Sequence, residues 1–251
     1  MSTDDLTPIG DCRRCRYRTS LLLAGRCVPG DTCIAVPSGR QMDRFLRLNP
    51  ELAPLYLQDD FWERRAIAVR YIRPELLVGL VEDPDEAVRR AVAYRLPREQ
   101  LAILMHDEDR EVRITVADRI PVEMIEKMAD DVDYLVRAYV VKRVPAGRLF
   151  RFIRDPDRQV RKLVAQRLPV ESLMLMARDE EPEVRVIVAG RLEGAAVVLL
   201  LQDPDWMVRL AAVEQAPLVA LPPLADDPDP EVRTAIAQRL AAIDPPPVSA
   251  D

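Results

Sequence analysis

The chain has 251 residues, 49% of them apolar, and 42 Asp and Glu against 36 Lys and Arg give a net charge of −6. That composition excludes a disordered chain and a protein drawn to nucleic acid or anionic membrane by an overall positive field. The charge is unevenly placed: residues 1–50 carry eight Arg and five Asp, a net of +3, which leaves −9 for the remaining 201 residues.

The N-terminus, MSTDDLTPIGDCRR, is polar and has no apolar h-region, so no secretory or transit signal is expected. No apolar run approaches the length that spans a bilayer, and the expectation is a cytoplasmic protein. In that compartment four cysteines crowded into one segment read as metal ligands rather than disulfides. They are Cys12, Cys15, Cys27 and Cys33. The CxxC lets two thiolates reach one centre from a single turn, and the Val-Pro-Gly-Asp-Thr linker between Cys27 and Cys33 can bend back to supply the others. Four thiolates satisfy either a [4Fe-4S] cluster or a tetrahedral zinc, and the spacing does not separate them. A zinc ribbon would show a second CxxC, and a bacterial ferredoxin a more compact cysteine run. Arg13, Arg14, Arg16, Arg18 and Arg26 stand among the cysteines, where cations offset the negative charge of a four-thiolate centre of either kind. The segment then leads into Arg44, Phe45, Leu46 and Leu48, placed to cap whatever apolar face comes next.

What comes next repeats. Asp83, Asp107, Asp131, Asp155, Asp179, Asp203 and Asp227 fall 24 residues apart without a slip. DPDEAVRRAVAYRLP from Asp83 returns as DEDREVRITVADRIP from Asp107 and DPDRQVRKLVAQRLP from Asp155. A divergent eighth copy precedes these, with Arg64 and Arg70 standing 25 residues before Arg89 and Arg95, which implies one inserted residue. In each unit Asp83 is expected to cap an α-helix of about three turns, with Pro84 at its first position, Asp85 and Glu86 at the positive end of its dipole, and Pro97 as its stop. Val88, Val92 and Leu96 share one face, as do Val112, Val116 and Ile120, and Val160, Val164 and Leu168. A shorter segment follows whose apolar residues are spaced by three, Leu101 and Leu104 or Leu149 and Phe152, a period that suits a 3₁₀ turn. Pro222 and Pro223 in the seventh copy disfavour an α-helix there. Met128, Phe152 and Met176 follow the repeat and read as core. A unit this small cannot hide its own apolar face, so the copies must stack into an all-α solenoid. The recurring acids and arginines, Asp83, Arg89, Asp107, Arg113, Asp131, Arg137, Asp155 and Arg161, are expected to pair as a ladder between neighbouring copies, which the acidic total favours over phosphate binding. The organisation expected is a four-cysteine module over 1–48, about eight repeats over 49–243, and a disordered tail over 244–251, DPPPVSAD.

The 24-residue unit, with its Asp, Val-Arg, Val-Ala and Arg-Leu-Pro positions and two apolar residues three apart, resembles the leucine-rich repeat variant (LRV) repeat. The resemblance covers nearly the whole chain and implies alternating α- and 3₁₀-helices in a right-handed superhelix. It also implies that Cys12, Cys15, Cys27 and Cys33 hold a [4Fe-4S] cluster. Local departures are Glu63 where later copies have Val, Glu193 in place of Pro, and Gln215 in place of Arg. His106 is the only histidine and no nucleophile–base pair or glycine-rich phosphate loop is present, so a non-enzymatic scaffold for a protein partner is expected, with the cluster sensing redox state or passing electrons. The alternatives are a zinc-stabilised adaptor and an accessory subunit feeding electrons to a redox enzyme. Neither nucleic acid nor membrane is an expected partner.

Overall fold

The structure, a computed structural model, describes residues 7–241, so the segment expected to be a disordered tail lies outside the described residues. The described chain is helical, without a β-strand beyond one isolated bridge, and divides into two compact units at Met128 and Ala129. Among the described residues no helix is long and apolar enough to cross a membrane.

The first unit contains α1 (Gly39–Leu48), α2 (Trp62–Val69), α3 (Glu86–Arg95), α4 (Arg110–Arg119) and the one-turn α5 (Val122–Ile125). Between them run 3₁₀ segments Pro50–Tyr56, Pro74–Leu80 and Arg98–Leu104, with Glu126–Met128 after α5. Asp83, expected as the helix cap, does not cap α3. Asp85 does, accepting from the Ala87 N–H at 3.0 Å, and Asp109 does the same for α4. The Asp83 carboxylate instead takes the Asp85 N–H at 3.0 Å and the guanidinium of Arg65, so the helix starts at Glu86 rather than Pro84. Two aspartates of the same turn both suit an N-cap, and the one claimed by a neighbouring arginine leaves the role to the other. At the far end Leu96 turns to extended backbone before Pro97, as a residue preceding proline must, and the helix stops at Arg95. Val88, Val92, Leu96 and Leu101 are fully buried, α2 packs on α3, and α3 packs on α4.

The first copy holds the 24-residue register; no residue is inserted. Its helix begins at Trp62, 24 before Glu86. Arg65, not Arg64, matches Arg89: each reaches an Asp 18 residues ahead with Nε and Nη2 and the carbonyl six residues behind with Nη1. The departure at this copy is therefore Arg64, which occupies the place of Val88 and turns out to pair with Asp59 at 2.7 Å. Two adjacent arginines made the shifted reading plausible, and only the pairing distinguishes them.

The second unit contains α6 (Tyr134–Arg143), α7 (Arg158–Arg167), α8 (Pro182–Ala189), α9 (Trp206–Gln215) and α10 (Pro230–Ala241), each packed on the next. Its 3₁₀ segments are Ala146–Phe152, Val170–Met176, Gly194–Gln202, Leu218–Ala220 and Pro222–Leu224. The double proline splits the last of these into two short turns, because neither ring can donate to the ladder. Where Glu193 replaces the usual proline, Gly194 adopts φ 61° to start its segment, a conformation open to glycine. Phe152 and Met176 are 2% and 1% exposed, and Met128 of the first unit is 2% exposed, so all three are core.

The arginine–aspartate pairs are bidentate and nearly buried. In the second unit Arg137 meets Asp155 at 2.8 and 2.9 Å, Arg161 meets Asp179, Arg185 meets Asp203 and Arg209 meets Asp227. In the first, Arg89 meets Asp107, and Arg113 donates to the Asp107 carbonyl at 2.8 Å. Asp131 accepts the Asp133 N–H and, through its carbonyl, Arg137. Arg65, Arg89, Arg137, Arg161, Arg185 and Arg209 each close their own Asp turn and grip the following one, so a single side chain sets both the start of a helix and its stacking. Arg209 holds the Asp227 carboxyl below the usual range, and Asp203 lies low despite burial, through the Arg185 hydrogen bond. Carboxyls depressed in the folded state add stability above the ordinary Asp value near 3.9, and that stability is lost as pH falls through the depressed values. Melting of the protein is accordingly expected at lower temperature at about pH 3 than at about pH 6, with a smaller difference in Arg209→Met.

A second column of arginines, from the Arg-Leu-Pro position, has a different use. Arg95 donates to the carbonyls of Val69 at 2.6 Å and Ile72 at 2.9 Å; Arg191 reaches Ala165, and Arg239 reaches Val213 and Ala216. These carbonyls lie at the C-terminal end of the preceding helix, where orphan acceptors and the negative end of the dipole favour a cation. Gln215 stands in this column without the charge. Gln215→Arg is expected to raise stability by about 1 kcal/mol, read from the urea midpoint at unchanged slope.

Candidate metal centre

Cys12 opens a 3₁₀ turn, Cys12–Arg14, and Cys15 follows directly after it; the Asp11 side chain caps the turn by accepting the Arg13 N–H at 2.9 Å. A wide five-residue turn over Arg18–Leu22 and a reversal at Gly25, φ 69°, bring the chain back to Cys27. Val28 and Thr32 then form an antiparallel bridge, with N–H to carbonyl distances of 3.0 and 2.7 Å, around Gly30 at φ 80°. The linker does bend back, and Cys27 and Cys33 flank the base of its turn.

Cys27 and Cys33 are 6% and 5% exposed, Cys12 and Cys15 are half-buried, and all four are free thiols. Burial pushes the Cys27 thiol up to about 11, with Cys33, then Cys15, then Cys12 adding to the effect, so the other three sulfurs each lie within electrostatic reach of Cys27. Gly10 leaves room for them: a Cβ there would stand 3.0 Å from the Cys33 sulfur. Among the described residues no three His, Cys, Asp or Glu side chains close on a single-ion position. The donor set is nevertheless chemically uniform. Four thiols, two of them buried where a bare thiolate is disfavoured, suit a group whose positive metal ions draw the protons off. The all-sulfur set fits an iron–sulfur cluster or zinc, and not a hard cation.

The five arginines do not act alike. Arg13, Arg14 and Arg18 are exposed. Arg16 lies over the rings of Tyr17 and Tyr56, at 4.7 and 5.4 Å, and donates to both hydroxyls. Arg26 reaches the Leu48 carbonyl at 2.9 Å and Glu51 at 2.5 Å. Two of the five therefore bind the cysteine module to α1 and the 3₁₀ segment after it. Tyr17 and Tyr56 share a buried hydrogen bond of 2.7 Å, Tyr17 packs on Phe45 at 5.3 Å, and burial followed by the Tyr17 bond pushes the Tyr56 hydroxyl up. Gln41 donates to the Pro8 carbonyl at 2.8 Å, and Asn49 to the carbonyls of Arg26 and Phe45. Of the residues expected to cap the first repeat, Phe45 and Leu46 are fully buried and Arg44 pairs with Asp31, while Leu48 is 51% exposed and faces away. Glu63 lies against Gly39 at the N-terminus of α1, where the Ser38 side chain provides no cap, a place the helix dipole reserves for a carboxylate. Tyr17, Gln41, Asn49 and Tyr56 carry no pattern in the sequence that would have singled them out.

Residues 8–54 match the family described as LRV protein FeS4 cluster, and residues 86–109, 158–181 and 182–205 match that described as leucine rich repeat variant. A solved structure described as a leucine-rich repeat variant with a novel repetitive protein structural motif is 71% identical, covers 93% of this chain and 100% of its own, and superposes with a TM-score of 0.91. A Rhodobacter capsulatus protein, "Uncharacterized 27.7 kDa protein in nifB 3'region", is 37% identical over 87 residues, which are 35% of this chain and 35% of that protein. The match thus spans about a third of that relative's length.

Proposed function

This chain belongs to the leucine-rich repeat variant family, and we propose from that premise that it is a non-enzymatic scaffold in which a [4Fe-4S] cluster, held by Cys12, Cys15, Cys27 and Cys33, controls how the repeats meet a protein partner in the cytoplasm. When bound, the cluster supplies a reversible one-electron change in a site otherwise made only of thiols. The observation that carries the reading is the continuity between the cysteines and the repeats: Arg16 and Tyr17 directly follow Cys15 and join Tyr56 in the first 3₁₀ segment. Arg16 orients the two hydroxyls, Tyr17 fills the space beside Phe45, and Arg26, adjacent to Cys27, ties the same module to Leu48 and Glu51. A change in how the four sulfurs are held is thereby passed to the side chains that seat α1. The family match over residues 8–54 supports iron over zinc.

The test is to purify the protein without oxygen, measure iron, acid-labile sulfide and zinc per chain, and follow amide exchange before and after chelation. About four iron and four sulfide, with exchange rising over residues 8–54 on removal, are the expected results. One zinc and no iron would instead identify a metal-stapled adaptor without redox chemistry.

A further inference from the structure

The outer faces of α2 and α3 enclose a groove of about 540 Å³, with Trp62 on one wall and Arg90 and Tyr94 on the other. Ala66, Ala91 and Arg70 also line it. Trp62 is 42% exposed and Tyr94 60%, and Arg90 is exposed with no hydrogen bond or ion pair among the described residues. Arg70 is tethered to Asp43 at 3.1 Å, which holds its guanidinium beside the groove. The lining carboxylate, Glu63, lies against Gly39.

The repeat itself tells scaffold positions from free ones. Positions that build the stack recur every 24 residues, as Val88 and Arg89 do. The groove positions vary: the place of Trp62 is taken by Glu86, Arg110 and Pro182 in later copies, with Tyr134 and Trp206 in two others, that of Arg90 by Ile114, Lys162 and Val186, and that of Tyr94 by Asp118 and Gly190, so only α2 and α3 bring Trp, Arg and Tyr together. Packing therefore does not require an aromatic or an arginine at these places, and exposing Trp and Tyr is unfavourable unless something covers them. Trp, Tyr and Arg are also the side chains that dominate binding energy at protein interfaces.

We propose that this groove is the docking site for an acidic peptide segment of a protein partner, one that seats an apolar side chain between Trp62 and Tyr94 and a carboxylate on Arg90 and Arg70. The occupant follows from charge: the lining holds Arg70, Arg90 and Arg95 against one carboxylate, Glu63, and a planar guanidinium favours a carboxylate. Single-stranded nucleic acid also stacks on aromatics beside arginine, but its backbone needs a row of cations, and beside this groove Arg70 is already paired with Asp43. The site rests on the scaffold reading and gives it a location.

The experiment uses the full-length, metal-loaded protein and fluorescein-labelled peptides of roughly twelve residues in which Leu or Phe is flanked by glutamates, with lysine versions and a single-stranded oligonucleotide as counter-probes. Fluorescence polarisation is expected to show binding of the acidic peptides alone, weakened about tenfold or more by Arg90→Glu and by Trp62→Ala. Lys162→Glu, at the Arg90 position three copies further on, should leave it unchanged, and thermal melts establish that each variant is folded. No binding at about 1 mM peptide, equal binding by the variants, or binding of the lysine peptides or the oligonucleotide through these residues would overturn the proposal. Repeating the titration after chelation separates the two readings: peptide binding untouched by metal loss sinks cluster control and leaves the groove assignment standing. Failure at the groove leaves cluster control to be judged on metal content and exchange.

Discussion

Cys27→Ser is expected to strip the N-terminal module of its metal and to unseat it from α1. Between residues 7 and 38 the buried apolar side chains are only Tyr17, Cys27, Cys33, Ile34 and Val36. A segment of this size cannot supply a self-sufficient core, and chains below about 40 residues generally need a metal, a disulfide or a partner surface to fold. Metal binding in small modules contributes on the order of 10 kcal/mol, so losing one of four ligands removes most of what holds the segment together. Cys27 is the telling position because its sulfur is buried, its thiol is pushed up to about 11 by burial and by the other three cysteines, and its neighbour Arg26 makes the bond to Leu48. Cys12→Ser, at a half-buried site, should lose less metal. The checks are iron per chain and amide exchange over residues 8–54. A Cys27→Ser protein that kept full iron and full protection would show that the cysteines are not the ligands.

Arg137→Met should destabilise the second unit by about 3 to 5 kcal/mol. The guanidinium meets both oxygens of Asp155 at 2.8 and 2.9 Å and also reaches the Asp131 and Val132 carbonyls. The two side chains are 11% and 4% exposed. Removing the cation leaves a buried carboxylate whose remaining support is the Asp157 N–H, and that unpaired charge accounts for most of the loss. Adding Asp155→Leu to Arg137→Met should therefore recover part of the stability, a non-additivity that a double-mutant cycle in urea measures. Arg137→Lys should rescue poorly, because an ammonium cannot hold both oxygens and the carbonyls at once. Additive losses, or a full lysine rescue, would mean that the column acts as general positive charge instead of a set of fitted forks.

Much of this molecule is legible because its repeat reports the same physics eight times. Seven aspartates in register, valines spaced by four and apolar residues spaced by three locate the α- and 3₁₀-helices, since capping, proline and periodicity act within a few residues. The cysteines are legible for the same reason: thiols have few uses in such number and proximity. What stayed hidden depends on choices between equivalent side chains. Asp83 and Asp85 both suit a cap, Arg64 and Arg65 both suit the ladder, and five arginines near the cysteines suit an anionic centre. Only the neighbour 18 residues ahead, or the tyrosine pair across α1, decides among them.

By itself, then, the sequence determined the 24-residue period, the alternation of helix types and the clustering of four thiols in one short segment, all consequences of local chemistry. Tertiary structure alone decided which aspartate caps and which pairs, that the first copy keeps register through Arg65, that Arg16 and Arg26 clasp the module to α1, and that Trp62, Arg90 and Tyr94 share a groove. Those outcomes depend on which side chains two stacked elements bring face to face, and the free energy separating the candidates comes from burial and pairing across the stack, which no single segment contains.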